Sequence, residues 1–304
     1  MRWMKRMGAL LVCAAVVMAL GASGAAGAGG QEVRISYLGP EGTYTEEAAK
    51  FFFSEGVFQP RGTVNEAIED VTAGRAEYAV IPQENTVGGA VVNYIDALMA
   101  GENIWVVGEV ILPISQTLMG VEGAGIEDIR TVCSHAQGIA QSAQWRREHM
   151  PDAEAVEMAS TAAAASYVAQ TGDMTIAAVA APGAADLYGL AVLAENVQIT
   201  DANKTRFYVL GREEWTGGKL TRAVVVAECP ASRIDDIIVE IHDMGLEMVT
   251  IHDRPEGSRL GTYRYIIEIE NGDGVTDDMA KGLAAMDGVR FLGRFDPAEK
   301  RKEP

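Results

Sequence analysis

The sequence predicts an α/β protein in two parts, and three observations carry that prediction. Over roughly the first 210 residues, short apolar runs repeatedly end in a polar corner and continue with helical spacing. That rhythm of strand, turn and helix builds sheets with ligands at their strand ends. A polar linker at 212–219 then breaks the rhythm, and beyond it the order becomes β-α-β-β-α-β, the ferredoxin-like arrangement. With 304 residues, 48% of them hydrophobic, the chain can bury cores for two or three domains. A formal charge of -18 argues against nucleic acid or an anionic membrane as partner, so an anionic ligand needs a local pocket of donors.

Arg2, Lys5 and Arg6 precede an apolar run over 8–20 and the small residues Ala26-Gly27-Ala28, the pattern of a secretory signal peptide. Export to the periplasm or exterior is expected, with cleavage near Ala28 and no stable membrane partner afterwards. A retained segment would instead anchor the chain in the membrane. Cys13 leaves with the signal, while Cys133 and Cys229 fall in different predicted domains and have no metal-ligand spacing.

Residues 33–38 alternate as a strand, and Gly39-Pro40-Glu41-Gly42 breaks it before a helix that Thr43-Tyr44-Thr45-Glu46 can cap. A helix is predicted over 64–73 and a strand over 78–81. The polar turn Pro82-Gln83-Glu84-Asn85-Thr86 follows, then Gly88-Gly89 and a helix over 91–99. Glu84 has two readings here, a general acid or base in a cleft and a turn-capping residue. The apolar run 105–118, interrupted by Pro113, carries the chain into a second lobe. There Thr131-Val132-Cys133 leads through Ser134-His135-Ala136-Gln137 into one helix as far as Trp145, with Gln141 one turn inside. A strand over 155–158 runs to Ser160-Thr161, which cap an Ala-rich helix to 169. Strands at 176–180 and 190–193 flank a short helix at 184–188.

The chain then reaches Asn203-Lys204-Thr205-Arg206-Phe207, where a hydroxyl and a guanidinium stand side by side at the start of an apolar strand closed by Gly211. Neighbours on a strand point to opposite faces, so Thr205 and Arg206 meet one ligand only if the strand end lies at a cleft edge. Beyond the linker, strands are predicted at 222–227, 246–251, 263–269 and 289–292, and helices at 234–244 and 279–286.

Taken together, these corners resemble the prephenate dehydratase family over about 33–293. Gly39-Pro40-Glu41-Gly42-Thr43 is similar to its opening Gly-Pro-x-Gly-Thr, and Pro82 to Thr86 with Gly89 and Val91 to its Pro-x-Glu-Asn-Ser-x-x-Gly-x-Val, with Thr86 in place of Ser. Ser134-His135-Ala136-Gln137 with Gln141 resembles its Ser-His-Pro-Gln segment, with Ala136 for Pro and Ser142 for Cys. Asn203 to Phe207 matches Asn-x-Thr-Arg-Phe. Four ordered motifs are a far more specific signal than any one alone.

The resemblance implies a two-lobed catalytic domain of the periplasmic-binding-protein kind over 33–211. Lobe 1 would span 33–108 plus 195–211 and lobe 2 109–194, followed by an ACT-like domain at 220–296. It implies loss of water and carbon dioxide from prephenate to give phenylpyruvate, with no cofactor and no metal. Thr205, Glu84 and Asn85 become the catalytic candidates. Arg206, Ser134, Gln141, His135, Gln137, Thr43, Thr86, Ser160 and Thr161 become the substrate-binding ones, with Phe207 and Gly89 structural at the site. Of the family's phenylalanine-effector motif, His252-Asp253-Arg254-Pro255 keeps Arg254 and Pro255. A homodimer or higher homo-oligomer is expected. Two alternatives stay open: a dehydratase acting on arogenate, which differs by an amine, and an exported solute-binding protein without turnover.

Overall fold

The computed structural model describes residues 32–101, 103–216 and 220–299. The expected signal peptide at 1–28 lies outside them. Among the described residues no helix is long and apolar enough to cross a membrane.

The first lobe is built from β1 (Arg34–Leu38), α1 (Tyr44–Phe52), β2 (Val57–Arg61), α2 (Val64–Thr72), β3 (Tyr78–Asn85), β4 (Gly89–Ala90), α3 (Val92–Ala100) and β5 (Trp105–Pro113). Thr43 caps α1 by accepting the Glu46 N–H, and Thr63 caps α2 by accepting that of Glu66. β2 has no alternating apolar signal and contains Pro60, which is tolerated because the strand lies at the sheet edge. The sequence places the crossing to the second lobe at 109. The structure puts it after Pro113, because β5 pairs along its length with a strand that returns from much later in the chain.

The second lobe holds β6 (Thr117–Gly120), β7 (Thr131–Ser134), α4 (Ala136–Gln141), α5 (Ala143–His149), β8 (Glu154–Glu157), α6 (Thr161–Thr171), β9 (Ile176–Ala180), α7 (Gly183–Tyr188) and β10 (Ala191–Ala194). Its sheet order is β10-β6-β9-β7-β8. The single helix predicted through Trp145 is two, because the Ser142 hydroxyl donates back to the Gly138 carbonyl at 2.8 Å and bends the chain.

β11 (Lys204–Gly211) then returns to the first lobe and pairs antiparallel with both β3 and β5. It sets Thr205 opposite Asn85 and Arg206 opposite Glu84. One face of this sheet, with Phe207 and Val209, packs on α1; the other, with Tyr208 and Leu210, packs on α2 and α3.

The C-terminal domain has the expected β-α-β-β-α-β order: β12 (Arg222–Pro230), α8 (Ile234–Asp243), β13 (Glu247–Pro255), β14 (Thr262–Glu270), α9 (Asp277–Ala285) and β15 (Val289–Phe295). A short β16 (Pro297–Glu299) rejoins β5. Alternation divides its sheet. Ala223, Val225 and Ala227 share a core with Ile237, Ile241 and Leu283 of α8 and α9, whereas Val224 and Val226, with Ile266 and Leu292, join the first lobe's core around Tyr94, Leu98 and Tyr208. Each such side chain contributes about 2 kcal/mol by burial, so the C-terminal sheet is fused to the first lobe rather than tethered to it.

Candidate active site

Asn85, the last residue of β3, organises the corner where the lobes meet. Its Oδ1 accepts the backbone N–H groups of Val87 and Gly88 at 3.0 and 2.9 Å, as expected where a polar turn follows a strand. Two backbone donors fix the amide orientation, so its Nδ2 must be the donor on the other side. That nitrogen lies 2.8 Å from the Thr205 hydroxyl and 2.8 Å from Asn203 Oδ1. Thr205 therefore receives a hydrogen bond from Asn85 and keeps its own proton to give. Among the described residues the Thr205 hydroxyl donates to none. Asn85 is buried and its hydrogen-bonding capacity is filled by the protein; it orients Thr205 rather than offering a free donor.

The second lobe closes on this corner. Gln137, in the first turn of α4, donates to Asn85 Oδ1 at 3.0 Å across the cleft. A side chain on Gly88 would stand 2.5 Å from that Gln137 nitrogen, so the contact needs glycine there. Tyr188 of α7 makes a second crossing to the Glu41 carbonyl at 2.9 Å. Thr86 donates to the Ala202 carbonyl and accepts the Lys204 N–H, tying its turn to β11. Deeper in, Gln141 accepts from Gln116 at 3.0 Å. His135, Ser160 and Thr43 each use their side chain as a helix cap, and Thr161 opens α6 beside α4 at Gly138. Phe207 is buried in the α1 core, and Gly89 takes φ +74 on β4.

Three expected site residues are elsewhere. Ser134 is wholly buried, its hydroxyl donating to the Val179 carbonyl at 2.6 Å beneath Gly138, so it ties α4 and β7 to β9. Glu84 projects to the face opposite Asn85 and pairs with His252 of β13, Oε1 to Nε2 at 3.5 Å; His252 in turn hydrogen-bonds the Tyr94 hydroxyl. Arg206 shares that reverse face. Its Nε is 2.7 Å from Glu109 Oε1, an ion pair not aligned as a hydrogen bond, and its Nη1 is 3.3 Å from Glu268 Oε1 on β14. Glu268 also pairs with Arg222 and accepts from the Tyr208 hydroxyl at 2.9 Å. Burial, then the charge of Glu268, pushes Glu109 up to about 7, while burial and the same Glu268 charge hold the Tyr208 phenol well above its ordinary value. The candidate effector residue Arg254 is paired with Asp96 of α3 at 2.7 Å, and Pro255 is exposed beside it.

Asn203, Gln116 and Gly88 belong to the corner and were not singled out as site residues in the sequence. Asn203 opens the Asn-x-Thr-Arg-Phe motif, and its Nδ2 is buried without a partner among the described residues. Gln116 carries no sequence signal. Glu109 and Glu268 did carry one: Glu109 is the lone acid of an apolar strand and Glu268 stands between Ile267 and Ile269, the mark of a buried ionic partner.

The family model for prephenate dehydratase matches residues 35–215. A prephenate dehydratase of Amycolatopsis methanolica is 36% identical over 276 residues, spanning 88% of this chain and 89% of that relative. A prephenate dehydratase from Arthrobacter aurescens, solved in complex with L-Phe, superposes with a TM-score of 0.77 at 31% identity over 90% of this chain and 92% of that one. A protein described as a novel type of quorum quenching acylase superposes with a TM-score of 0.76 at 25% identity, over 87% of this chain and 98% of that one. With the family model matching more than half of this chain and a relative shared nearly end to end, this chain belongs to the prephenate dehydratase family.

Proposed function

We infer that the chain is a carbon–oxygen lyase that converts prephenate to phenylpyruvate in aromatic amino acid biosynthesis, with Thr205 serving the departing hydroxyl. The observation that carries the role of Thr205 is the direction of its bond with Asn85: the oxygen is occupied as acceptor, so its proton is directed to a ligand. In the reaction the ring carboxylate leaves as carbon dioxide, its bonding pair enters the ring, and the ring hydroxyl departs as water after gaining a proton. Aromatisation drives the step, so a well-placed donor, typically worth about 10²–10⁴ in rate, is the main requirement. An aliphatic hydroxyl is too weak an acid to supply the proton alone; Thr205 donates the hydrogen bond and relays a proton recovered from solvent. Gln137, with a second amide N–H beyond the one given to Asn85, is placed to hold a substrate oxygen.

The test is to offer the purified protein prephenate and arogenate separately, following phenylpyruvate and phenylalanine. Phenylpyruvate formed faster than phenylalanine supports this reading; faster turnover of arogenate overturns it.

Export is proposed on the strength of the basic and apolar pattern at 1–28, and amino-terminal sequencing of the secreted chain tests it. A homodimer is proposed because β13 is an open sheet edge with Met248 exposed on it; light scattering tests that. The L-Phe complex of the Arthrobacter relative supports a phenylalanine effector here, for which Arg254 would have to exchange Asp96 for the ligand carboxylate. Calorimetric titration with phenylalanine, in the native chain and in Arg254→Ala, checks it.

A further inference from the structure

We propose that Arg206 is a positioning residue whose setting is completed by the C-terminal domain: held between Glu109 on β5 and Glu268 on β14, its guanidinium fixes β11 from the reverse face, next to Thr205. This deepens the dehydratase reading and rests on it. A carboxylate of the C-terminal domain thereby becomes part of how the active site is constructed.

The geometry ties both catalytic strands to one group. Glu268 is wholly buried and takes Arg206 on one oxygen and the Tyr208 hydroxyl on the other; Tyr208 accepts from Gln83 Nε2 at 2.9 Å. Arg206 adjoins Thr205 on β11, and Gln83 lies two residues before Asn85 on β3, so the partners of the 2.8 Å Asn85–Thr205 bond are both anchored to Glu268 from behind. The ladder between these strands is interrupted just before Asn85: Arg206 faces Glu84 and Phe207 faces Pro82, so Gln83 is the extra residue on β3. A bulge leaves backbone groups locally unpaired and bends its strand, and the Gln83 bond to Tyr208 ties that bend to Glu268 from behind. Arg suits the role and Lys does not: Nε and Nη1 reach two carboxylates at once, while an ammonium is a single point charge.

The experiment uses the full chain with Arg206→Lys, Glu268→Gln and the double variant, assayed with prephenate across pH and checked by thermal melting. Arg206→Lys is expected to lower kcat at least tenfold with KM within about twofold, and the double variant to lose less than the product of the single losses. In the unaltered chain kcat should fall on the acid side as Glu109, faced by Arg206, Tyr208, Arg222, Glu268 and Glu84, takes up a proton. Glu268→Gln should move that limb to lower pH, since it removes a like charge. An unchanged kcat in folded Arg206→Lys overturns the proposal, as does a loss confined to KM, which would give the guanidinium to a substrate carboxylate instead. Should Glu268→Gln fail to melt cooperatively, Arg206→Lys decides the matter alone. Absence of turnover by the unaltered chain sinks the dehydratase reading and this proposal with it; normal kcat in the variants sinks only the proposal.

Discussion

Thr205 and Arg206 are neighbours in the chain and lie on opposite faces of β11, the hydroxyl 2.8 Å from Asn85 Nδ2 and the guanidinium 2.7 Å from Glu109 Oε1. The strand thus carries the candidate reactive hydroxyl on one side and an ionic anchor to the C-terminal domain on the other. Loss of either group should therefore look different in kinetics.

Thr205→Ala removes the donor and should lower kcat by two or more orders of magnitude, in line with the usual worth of a positioned proton donor. Thr205→Ser keeps the hydroxyl and should stay within about tenfold of the native rate. Steady-state assays with prephenate, with circular dichroism to confirm folding, measure both; equal losses in the two variants would remove the hydroxyl from the mechanism.

Asn85→Asp keeps the shape, and the carboxylate still accepts from Val87, Gly88 and Gln137. It has no N–H for Thr205, so the Thr205 proton turns toward the new carboxylate and away from substrate. A drop in kcat of about 10² is the expected result, with a lowered melting temperature, because the buried carboxylate also loses the bond to Asn203 Oδ1.

Gly88→Ala tests the cross-cleft contact. The added methyl meets the mobile end of Gln137 rather than backbone, so stability should change by under about 1 kcal/mol. Displacing Gln137 from Asn85 should raise KM. Adding Gln137→Ala to Gly88→Ala should then cost little more, because both act on one hydrogen bond; additive effects in a double-mutant cycle would contradict this.

Stability against pH has a defined sign at Glu109. Burial raises its folded pKa to about 7, so the folded state holds a proton that the unfolded state has released between the ordinary carboxylate value and about 7. Its contribution is full below the ordinary value and is lost as pH rises through about 7. Asp70 works in the opposite sense: burial raises it, but hydrogen bonds from Arg75 and Arg61 outweigh that and hold it low, so its contribution is lost on acidification. Urea melts of Glu109→Gln should show a smaller loss of stability from pH 6 to 8 than the native chain shows.

Much of the architecture was legible in the chain. Strand–corner–helix punctuation located the elements, the change of pattern after Gly211 marked the C-terminal domain, and Thr43, Ser160 and Thr161 stood where helices begin. Asn85, Gln137 and Thr205 were candidates from motif and side-chain chemistry, and the fold brings those three into contact. The strand period of two also required Thr205 and Arg206 to diverge. What tertiary structure alone decided was which direction each took, because that depends on which face of the sheet the C-terminal domain covers. It covers the face of Arg206 and Glu84, where buried carboxylates and His252 meet them, and leaves the face of Thr205 and Asn85 to the cleft. Ser134 was settled in the same way: a hydroxyl at a strand end reads as a ligand donor until a helix packs over it at a glycine. Alternation along a strand is local, whereas what lies over each face depends on residues distant in the chain.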